Sequence, residues 1–280
     1  MTVIYGREVA DVIEAQLKAE IEQFETKPQL AVIQVGNNQA SNVYVRNKER
    51  ACERVGIESI AIHLKETVEE DELIQIIQDL NVDTNITGIL VQLPLPSHIN
   101  VTKVLDVIDP IKDVDGFHYI NVGKMNLGMQ SMLPCTPYGV IKMLEYINED
   151  VKGKHAVVVG ASNIVGKPMA QLLLSKGATV TICNSKTQNL GFFTSHADIL
   201  VVAVGKSKLI TTDMVKENAV VIDVGINRNE DGKLCGDVDF DNIVDKVKAI
   251  SPVPKGVGVM TVTMLLYNTV EAYKLQNTMP

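Results

Sequence analysis

The amino-acid sequence predicts an α/β protein of two domains, an N-terminal α/β domain and a Rossmann-type domain with a doubly wound parallel sheet. Short apolar segments alternate with amphipathic segments along the chain, as expected for parallel strands that helices cover on both faces. A glycine turn directly follows one apolar segment, which is typical of the strand-to-helix connection in Rossmann domains. The length of 280 residues fits two domains of ordinary size.

The first half of the chain contains three predicted strands separated by helices. Between Val9 and Phe24 apolar residues recur every three or four positions, which predicts a helix over 8–24. A second helix is predicted over 41–55, with Ser41 as its cap and Gly56 as its end. The other predicted elements are strands at 30–36, 57–64 and 88–96, the last running into a loop with two prolines, and a helix at 70–80.

The periodicity fades between 97 and 139 into segments rich in Asp, Gly and Pro, which predicts long loops. Loops of that length inside a compact protein usually carry function. Alternation then resumes without an internal repeat, so we expect a different α/β domain to follow. Its predicted elements are helices at 137–147 and 167–177 and strands at 155–160, 179–183, 199–204 and 219–226.

The composition is that of a globular protein and argues against several functional classes. Hydrophobic residues make up 46% of the chain and charged residues 21%. Lys and Arg total 26 against 34 Asp and Glu, a net charge of −8, so we predict no nucleic-acid partner and expect any anionic ligand to be held locally. Because there is no Trp and there are only 7 Tyr and 5 Phe, stacking platforms for bases are not expected either.

Cysteines, histidines and the N-terminus predict a cytoplasmic protein without a metal. The four cysteines form no CxxC pair and the histidines show no ligand spacing, so free thiols and no zinc site are expected. The N-terminal segment turns amphipathic and acidic within ten residues, unlike a signal peptide. The apolar segment 199–204 is too short to span a bilayer, so no membrane partner is expected.

The segment HAVVVGASNIVGKP predicts a dinucleotide-binding turn. A strand ends at Gly160, a polar turn follows, and a helix begins near Pro168. The free backbone N–H groups in the first turn of a helix favour binding of a phosphate. The turn departs from GxGxxG, because Ser162 occupies the second glycine position and Val165 the third. The turn alone is equally compatible with an ordinary strand-to-helix connection.

The end of the next strand favours NADP over NAD. In an NAD site an acidic residue about 20 positions downstream receives the ribose 2′-hydroxyl. Here the strand ends in Asn184, Ser185, Lys186 and Thr187, without a carboxylate. Neutral donors and a cation accommodate a 2′-phosphate better, so we predict NADP as the cofactor, although these residues also suit a solvated loop.

Polar residues at the ends of several predicted elements suggest a catalytic site in the N-terminal domain. Tyr44 and Lys48 lie four positions apart, hence on one face of a helix. Gln92 interrupts an apolar strand and Asp115 lies in the loop that follows. Polar side chains delivered by several strand and loop ends are how α/β proteins assemble sites above a sheet.

Eight motifs in this order make the sequence recognisable. The chain resembles the bifunctional methylenetetrahydrofolate dehydrogenase/methenyltetrahydrofolate cyclohydrolase family over essentially its whole length. The motifs are YVRNKERACERVGI, GILVQLPLP, PIKDVDGFH, LPCTPYGV, VVVGASNIVGKP, VIDVGIN, GDVDF and SPVPKGVGVMTVTMLLYNT.

The resemblance implies a multifunctional enzyme of one-carbon metabolism that supplies purine biosynthesis. It implies a catalytic folate-binding domain over 1–138, completed by a C-terminal helix at 262–280, and an NADP-binding Rossmann domain over 139–261. The active site is expected in a cleft between the domains, and the partners are expected to be tetrahydrofolate derivatives and a second copy of the chain in a homodimer.

The resemblance also implies roles for individual residues. Lys48 is expected to be the catalytic lysine, Tyr44 to pack against the folate, Gln92 to hydrogen-bond to Lys48, and Asp115 to anchor the pterin. Substrate contacts are further expected from Val91, Leu93, Pro254, Gly256 and Gly258, and cofactor contacts from Gly160, Ala161, Ser162, Ser185 and Ile226.

Two positions depart from the family pattern. The C-terminal loop of the family reads PVPGGVGPMT, whereas this chain has Lys255 and Val259 in place of a glycine and a proline. Lys255 is expected to point outward, toward the anionic glutamate tail of folate. Ala161 stands where many relatives have an arginine that could pair with a 2′-phosphate, so Ser185 and Lys186 must suffice.

Two other functions remain open at this point. The same Rossmann unit could serve an NAD(P)-dependent dehydrogenase of another small substrate, although Tyr44, Lys48, Gln92 and Asp115 together argue against this. An altered C-terminal loop could also leave a catalytically impaired nucleotide-binding relative. Asp237 and Asp239 suggest a divalent ion only weakly, so a loop-capping role is predicted for them.

Overall fold

The structure is a computed structural model that describes residues 2–278, with the side chains of 39 and 40 left out. The strands are β1 (Thr2–Val3), β2 (Gln29–Val35), β3 (Glu58–Leu64), β4 (Gly88–Val91), β5 (His155–Val159), β6 (Thr179–Cys183), β7 (Ile199–Val202), β8 (Val220–Asp223), β9 (Asn227–Arg228), β10 (Leu234–Cys235) and β11 (Ala249–Ile250). The helices are α1 (Gly6–Ile21), α2 (Gln39–Val55), α3 (Glu70–Val82), α4 (Val101–Val107), α5 (Tyr119–Asn126), α6 (Cys135–Tyr146), α7 (Gly166–Ser175), α8 (Leu190–Thr194), α9 (Phe240–Ile243) and α10 (Val257–Thr278). Among these described residues, no helix is long and apolar enough to cross a membrane.

The chain forms two compact units, which we name by their sheets. The six-stranded unit comprises Met1–Asp11 and Thr136–Thr261, and the three-stranded unit comprises Val12–Cys135 and Val262–Pro280. The three limits between the units therefore fall inside helices α1, α6 and α10. Residues 1, 279 and 280, which the predicted domain ranges include, lie outside the described residues.

The three-stranded unit contains a parallel sheet in the order β3-β2-β4. The central strand β2 is buried along almost its whole length, as its continuous apolar sequence predicts. Its side chains pack with those of α3 and β4 in one core, which includes Ile33, Leu73, Ile77 and Ile89. Burial of this apolar surface stabilises the sheet whose strand ends carry the polar residues described below.

The six-stranded unit contains a parallel sheet in the order β1-β11-β8-β7-β5-β6. The chain passes from β5 to β6 on one side and then returns to β7 on the other side of β5. This reversal creates the topological switch point at which Rossmann-type sheets bind ligands. The predicted α/β fold with a Rossmann-type parallel sheet is confirmed.

The segment predicted as loops, 97–139, also contains α4 and α5. Both helices are short, so neither produces the long amphipathic period on which the prediction relied. Their first turns are held by side-chain caps: Asn100 accepts from the backbone N–H of Lys103, and His118 accepts from that of Ile120. The region thus provides short capped helices joined by turns.

Two helices begin earlier along the chain than the predicted ranges. Helix α2 begins at Gln39, and the Asn38 side chain accepts a hydrogen bond from the backbone N–H of Ser41, so Asn38 and not Ser41 is the cap. Helix α10 begins at Val257, earlier than the predicted 262, and includes part of the glycine-rich segment. Gly56 ends α2 with φ of 94°, as predicted.

Candidate active site

Lys48 lies on α2 with its side chain buried, and it meets Gln92 just after β4. The Lys48 Nζ donates a hydrogen bond of 2.9 Å to the Gln92 Oε1. The Gln92 amide nitrogen donates to the Leu93 carbonyl at 2.7 Å. Because that nitrogen is engaged with the backbone, the amide oxygen is oriented toward the lysine. Gln92, predicted to lie within the strand, therefore lies directly after it and has Lys48 as its partner.

Burial and a neighbouring carboxylate have opposite effects on the pKa of Lys48. Burial lowers the pKa of Lys48, while the Asp115 carboxylate acts to raise it. Burial also raises the pKa of Asp115 to about 6, although Lys48 favours the carboxylate form. The ammonium and the carboxyl group therefore lie close enough to influence each other, and both have pKa values nearer neutrality than usual.

Cys135 is a further member of this cluster, and no local sequence pattern indicated it. Its buried Sγ donates to the Val114 carbonyl at 3.4 Å. Burial raises the pKa of the Cys135 thiol well above its usual range, and the Asp115 carboxylate raises it further. The thiol is therefore neutral, and it lies beside Asp115 as a buried hydrogen-bonding group.

Asn268 on α10 was missed as well. Its Nδ2 donates to the carbonyl oxygens of Val114 and Leu133, each at 2.8 Å, and only 2% of the residue is exposed. These bonds tie the segment that carries Asp115 to the segment that carries Cys135. The one signal in the sequence is that the polar Asn268 interrupts an otherwise mostly apolar helical segment.

The PIKDVDGFH motif contains two aspartates with different surroundings. Asp113 is buried and accepts from the backbone N–H groups of Phe117 and His118 and from the Asn121 side chain. It therefore stabilises the turn that follows, whereas Asp115 lies beside Lys48. Sequence reasoning selected Asp115 and did not anticipate the supporting role of Asp113.

The other predicted substrate residues fall in both units. Tyr44 lies one helical turn before Lys48 and exposes 38% of its surface, while Val91 is buried in β4. Pro254, Gly256 and Gly258 belong to the six-stranded unit. A Cβ on Gly256 would lie 2.3 Å from the Pro252 carbonyl oxygen, so this turn has no room for a side chain there.

Lys255 occupies the turn with a backbone conformation that favours glycine. Its φ is 83°, and its side chain is exposed, in agreement with the predicted outward direction. Its carbonyl oxygen accepts from the backbone N–H of Gly6 at 2.9 Å. The turn therefore keeps a left-handed residue at this position although a lysine has replaced the family's glycine.

The cofactor turn lies at the switch point of the six-stranded sheet. Gly160 has φ of 122°, and a Cβ there would lie 2.2 Å from the Ala203 carbonyl oxygen. A Cβ on Gly166 would lie 2.0 Å from the Gly160 carbonyl oxygen, so both glycines allow close backbone packing. Ser162 is exposed, and its Oγ accepts from the backbone N–H groups of Val165 and Gly166.

A second turn lies beside the first one. Strands β5 and β6 pair so that Val159 is opposite Cys183, and the backbone N–H of Gly160 donates to the Cys183 carbonyl at 2.8 Å. Ser185 and Lys186 are exposed in the turn after β6, which Asn184 closes by accepting from the Lys186 N–H. Exposed neutral donors and a cation next to a glycine turn fit a dinucleotide with a 2′-phosphate.

Ile226 is 50% exposed after β8, and Gly258 at the start of α10 lies beside it. A Cβ on Gly258 would be 4.0 Å from the Ile226 Cδ1.

Within residues 2–278 there is no group of three His, Cys, Asp or Glu side chains that could hold a metal ion. Asp237 caps backbone N–H groups as predicted, and Asp239 pairs with Lys208 at 2.8 Å.

Two family models match the chain in succession. Residues 4–115 match the catalytic domain of tetrahydrofolate dehydrogenase/cyclohydrolase, and residues 134–277 match the NAD(P)-binding domain of the same family. The bifunctional protein FolD of Bacillus anthracis is 56% identical over 275 residues, which cover 97% of this chain and 96% of the relative.

Solved structures agree over the whole chain. The bifunctional methylenetetrahydrofolate dehydrogenase/cyclohydrolase of Campylobacter jejuni is 49% identical with a TM-score of 0.97, covering 98% of this chain and 99% of that one. The Trypanosoma brucei enzyme, solved with NADP and an inhibitor, is 34% identical with a TM-score of 0.95, covering 100% and 99%. The chain therefore belongs to the bifunctional tetrahydrofolate dehydrogenase/cyclohydrolase family, as its eight sequence motifs predicted.

Proposed function

We propose that this chain oxidises 5,10-methylenetetrahydrofolate to the methenyl form with NADP⁺ and then hydrolyses that product to 10-formyltetrahydrofolate, with Lys48 as the catalytic residue of the second step. The observation that carries the proposal is the buried Lys48, which donates to Gln92 at 2.9 Å and lies under the influence of Asp115. A buried amine with a lowered pKa, held by an oriented amide, is suited to proton transfer near neutral pH.

In the oxidation, the protein's main task is to position the substrate. NADP⁺, when bound, supplies the hydride acceptor, and the folate nitrogens donate electron density to the carbon that loses the hydride. The exposed ring of Tyr44 can pack against the folate ring system, and Asp115 can accept hydrogen bonds from the pterin. These contacts hold the reacting carbon in place without requiring an acid.

In the hydrolysis, a water oxygen bonds to the methenyl carbon and the bond from that carbon to one folate nitrogen breaks. The attacking water loses both of its protons as the formyl C=O bond forms. The departing nitrogen gains one of them, and the other is released to solvent, which balances the positive charge of the methenyl substrate. Lys48 can take part in the proton transfer, because its amine can accept a proton from the water oxygen and the resulting ammonium can donate it to the departing nitrogen. Burial lowers the pKa of Lys48 and so favours the neutral amine. Gln92 holds the Nζ in one orientation through the 2.9 Å hydrogen bond.

The cofactor contacts are proposed for Gly160, Ala161, Ser162, Ser185 and Ile226. The support is that the two exposed turns lie side by side after β5 and β6, at the switch point. With alanine at 161, the 2′-phosphate depends on Ser185 and Lys186. Replacing Lys186 with Glu is expected to weaken NADP binding much more than NAD binding in a titration with both nucleotides.

Lys48→Met tests the assignment of the catalytic residue. Hydrolysis of 5,10-methenyltetrahydrofolate should fall by about 100-fold or more, because methionine fills the space but transfers no proton. NADP binding should remain near normal. The matched control is Arg46→Met, which removes an exposed cation on the same helix. Retained hydrolysis in Lys48→Met would contradict the role of Lys48.

The wild-type enzyme tests the function itself. NADPH formation from 5,10-methylenetetrahydrofolate, followed by decay of the methenyl absorbance, should be seen in one preparation. Absence of both signals with tight NADP binding would favour a nucleotide-binding relative without turnover. NADPH formation only with other small substrates would favour a different dehydrogenase.

We also propose a homodimer formed through the six-stranded unit, in the cytoplasm. Strand β6 is an edge of the sheet and exposes 44% of Ile182. Helices α7 and α8, which contact β6, expose 54% of Leu174 and 58% of Phe192. An exposed edge strand with apolar neighbours is suited to pairing with a second copy. Four free cysteines fit a reducing compartment.

A further inference from the structure

Two buried carboxylates lie at the carboxyl ends of β7 and β8, outside the cluster around Lys48. Asp237 is fully buried and Asp223 is 4% exposed. Neither residue is needed for the chemistry proposed above. Ionisable groups are rarely buried to this extent unless they are fully hydrogen-bonded, so their partners indicate what they do.

Asp237 holds the loop that follows β7. Its Oδ2 accepts from the backbone N–H groups of Val204 at 2.7 Å and Gly205 at 3.0 Å, and its Oδ1 accepts from that of Lys206 at 2.7 Å. Three consecutive amides thus turn inward onto one carboxylate, a geometry that elsewhere binds an anion. The loop is exposed on its other side, so its side chains face outward.

The same carboxylate also holds the segment that follows β8. Asp237 Oδ1 accepts from the Asn227 Nδ2 at 2.9 Å, and Asp223 Oδ1 accepts from the Gly225 N–H at 2.9 Å. Ile226 therefore lies between two residues that are each anchored to a buried carboxylate.

The two carboxylates are linked by a hydrogen bond through the backbone, and the atoms around them are closely packed. Asp223 accepts from the backbone N–H of Asp237 at 3.0 Å. A Cβ on Gly225 would lie 2.1 Å from the Asp237 Cγ, and a Cβ on Gly236 would lie 1.9 Å from the Asp223 Oδ2. A small displacement of Asp237 would therefore move both loops together.

We propose that Asp237 is a positioning residue for the NADP site, which sets the loops 203–207 and 224–228 at the carboxyl edge of the sheet without touching the cofactor. The inference rests on the proposed function, because it takes NADP to bind at that edge. Ligands of parallel sheets bind outside the carboxyl ends of the strands, where these two loops lie. A fixed loop loses less entropy on binding, so Asp237 increases NADP affinity.

Asp237→Asn is the test, because it keeps the shape but replaces one acceptor oxygen with a donor that faces N–H groups. The KM for NADP should rise at least about tenfold. Hydrolysis of 5,10-methenyltetrahydrofolate, which needs no NADP, should stay within about twofold of wild type. Asp239→Asn is the matched control, since Asp239 lies two residues away and pairs with the exposed Lys208, and it should change neither activity.

Two results would overturn the inference. One is a KM for NADP in Asp237→Asn equal to that of Asp239→Asn, and the other is a parallel loss of both activities in a folded protein, which would indicate a general structural role. If Asp237→Asn does not fold, Asn227→Ala decides, because it removes a single bond to Asp237 and leaves the backbone bonds intact. The KM for NADP should then rise severalfold with hydrolysis retained, and an unchanged KM rejects the inference. Failure of the proposed function is distinguishable, because wild type would then lack NADPH formation.

Discussion

At Lys48 two opposing effects act on the pKa of the side chain. Burial removes water from the ammonium and lowers its pKa, while the Asp115 carboxylate partly restores the charged form. The Gln92 Oε1 orients the Lys48 Nζ and can accept a hydrogen bond from either protonation state of the amine. Lys48 and Arg46 lie on the same helix and are both basic, but Lys48 is buried whereas Arg46 is exposed to solvent.

The raised pKa of Asp115 predicts an acid limb in the activity. Burial raises this pKa to about 6, so the carboxylate is present above pH 6 and is lost as the pH falls through that value. The protonated group no longer favours the Lys48 ammonium or accepts hydrogen bonds through both oxygens. We therefore expect kcat/KM for the folate substrate to fall below about pH 6.

Asp115→Asn should abolish that limb and lower kcat/KM at neutral pH by about tenfold or more. The measurement is the pH profile of each activity between pH 5 and 9. Asp106→Asn, at an exposed aspartate of the same region, is the control and should keep the limb. An unchanged acid limb in Asp115→Asn would assign the titration to another group.

Lys255 provides a second test at a single residue. Its φ of 83° is a conformation that non-glycine residues adopt at a free-energy cost, so Lys255→Gly should increase the free energy of unfolding by up to about 1 kcal/mol. If the exposed cation attracts the glutamate tail of folate, the KM for folate should rise severalfold as well.

Lys255→Ala separates the two effects at Lys255. Alanine removes the charge but keeps the Cβ, so the KM for folate should rise as in the glycine variant without a gain in stability. Chemical denaturation and steady-state kinetics measure both quantities. A gain in turnover in Lys255→Gly would indicate that the lysine obstructs the site and would contradict attraction.

At the scale of elements, supporting residues decide where functional residues lie. Helix α10 supplies Asn268, which joins the backbone at Val114 to the backbone at Leu133. A Cβ on Gly116 would lie 2.6 Å from the Leu133 carbonyl carbon, so these two segments already pack as closely as backbone allows. Asp115 is therefore held by a helix far away along the chain.

Asn268→Leu tests this anchoring. The change removes the amide donor from two buried carbonyl groups and leaves the Val114 carbonyl only the weak Cys135 thiol, so we expect a loss of about 2–4 kcal/mol in the free energy of unfolding, measured by urea denaturation. Asn277→Ala, in an exposed part of the same helix, should change the free energy by less than about 0.5 kcal/mol. A loss in Asn268→Leu as small as that of the control would show that water or a rearrangement satisfies both carbonyls.

At the scale of the whole molecule, charge and assembly matter. The net charge of −8 opposes two anionic ligands, so binding must depend on local groups such as Lys48, Lys186 and Lys255. The apolar positions exposed around β6 leave an edge that a second copy can cover.

Ile182→Glu tests the proposed dimer. A carboxylate on the edge strand would be buried against the second copy, so the mass from sedimentation equilibrium should fall from two chains to one. Thr179→Glu, at an exposed position of the same strand, is the control for a charge on β6 itself. A monomeric wild type at micromolar concentration would contradict the proposal.

The sequence by itself predicted the longer elements and the candidate site residues, because these patterns depend on neighbours along the chain. Apolar runs indicated β2, β5 and β7, and the spacing of Tyr44 and Lys48 indicated one helix face. Short capped helices such as α4 and α5 escaped, since their stability comes from caps and packing.

Only the tertiary structure decided which distant groups meet. Asp237 accepts from amides more than 30 residues away, Asn268 donates to carbonyls more than 130 residues away, and Lys48 reaches Gln92 across 44 residues. These contacts depend on how the chain folds, and no local sequence pattern indicates them. The shifted pKa values of Lys48 and Asp115 result mainly from burial, which is also decided by the fold. The sequence therefore predicted residues such as Lys48, Gln92 and Asp115 for the site, and the fold decided how they are held and which supporting residues, such as Asn268, surround them.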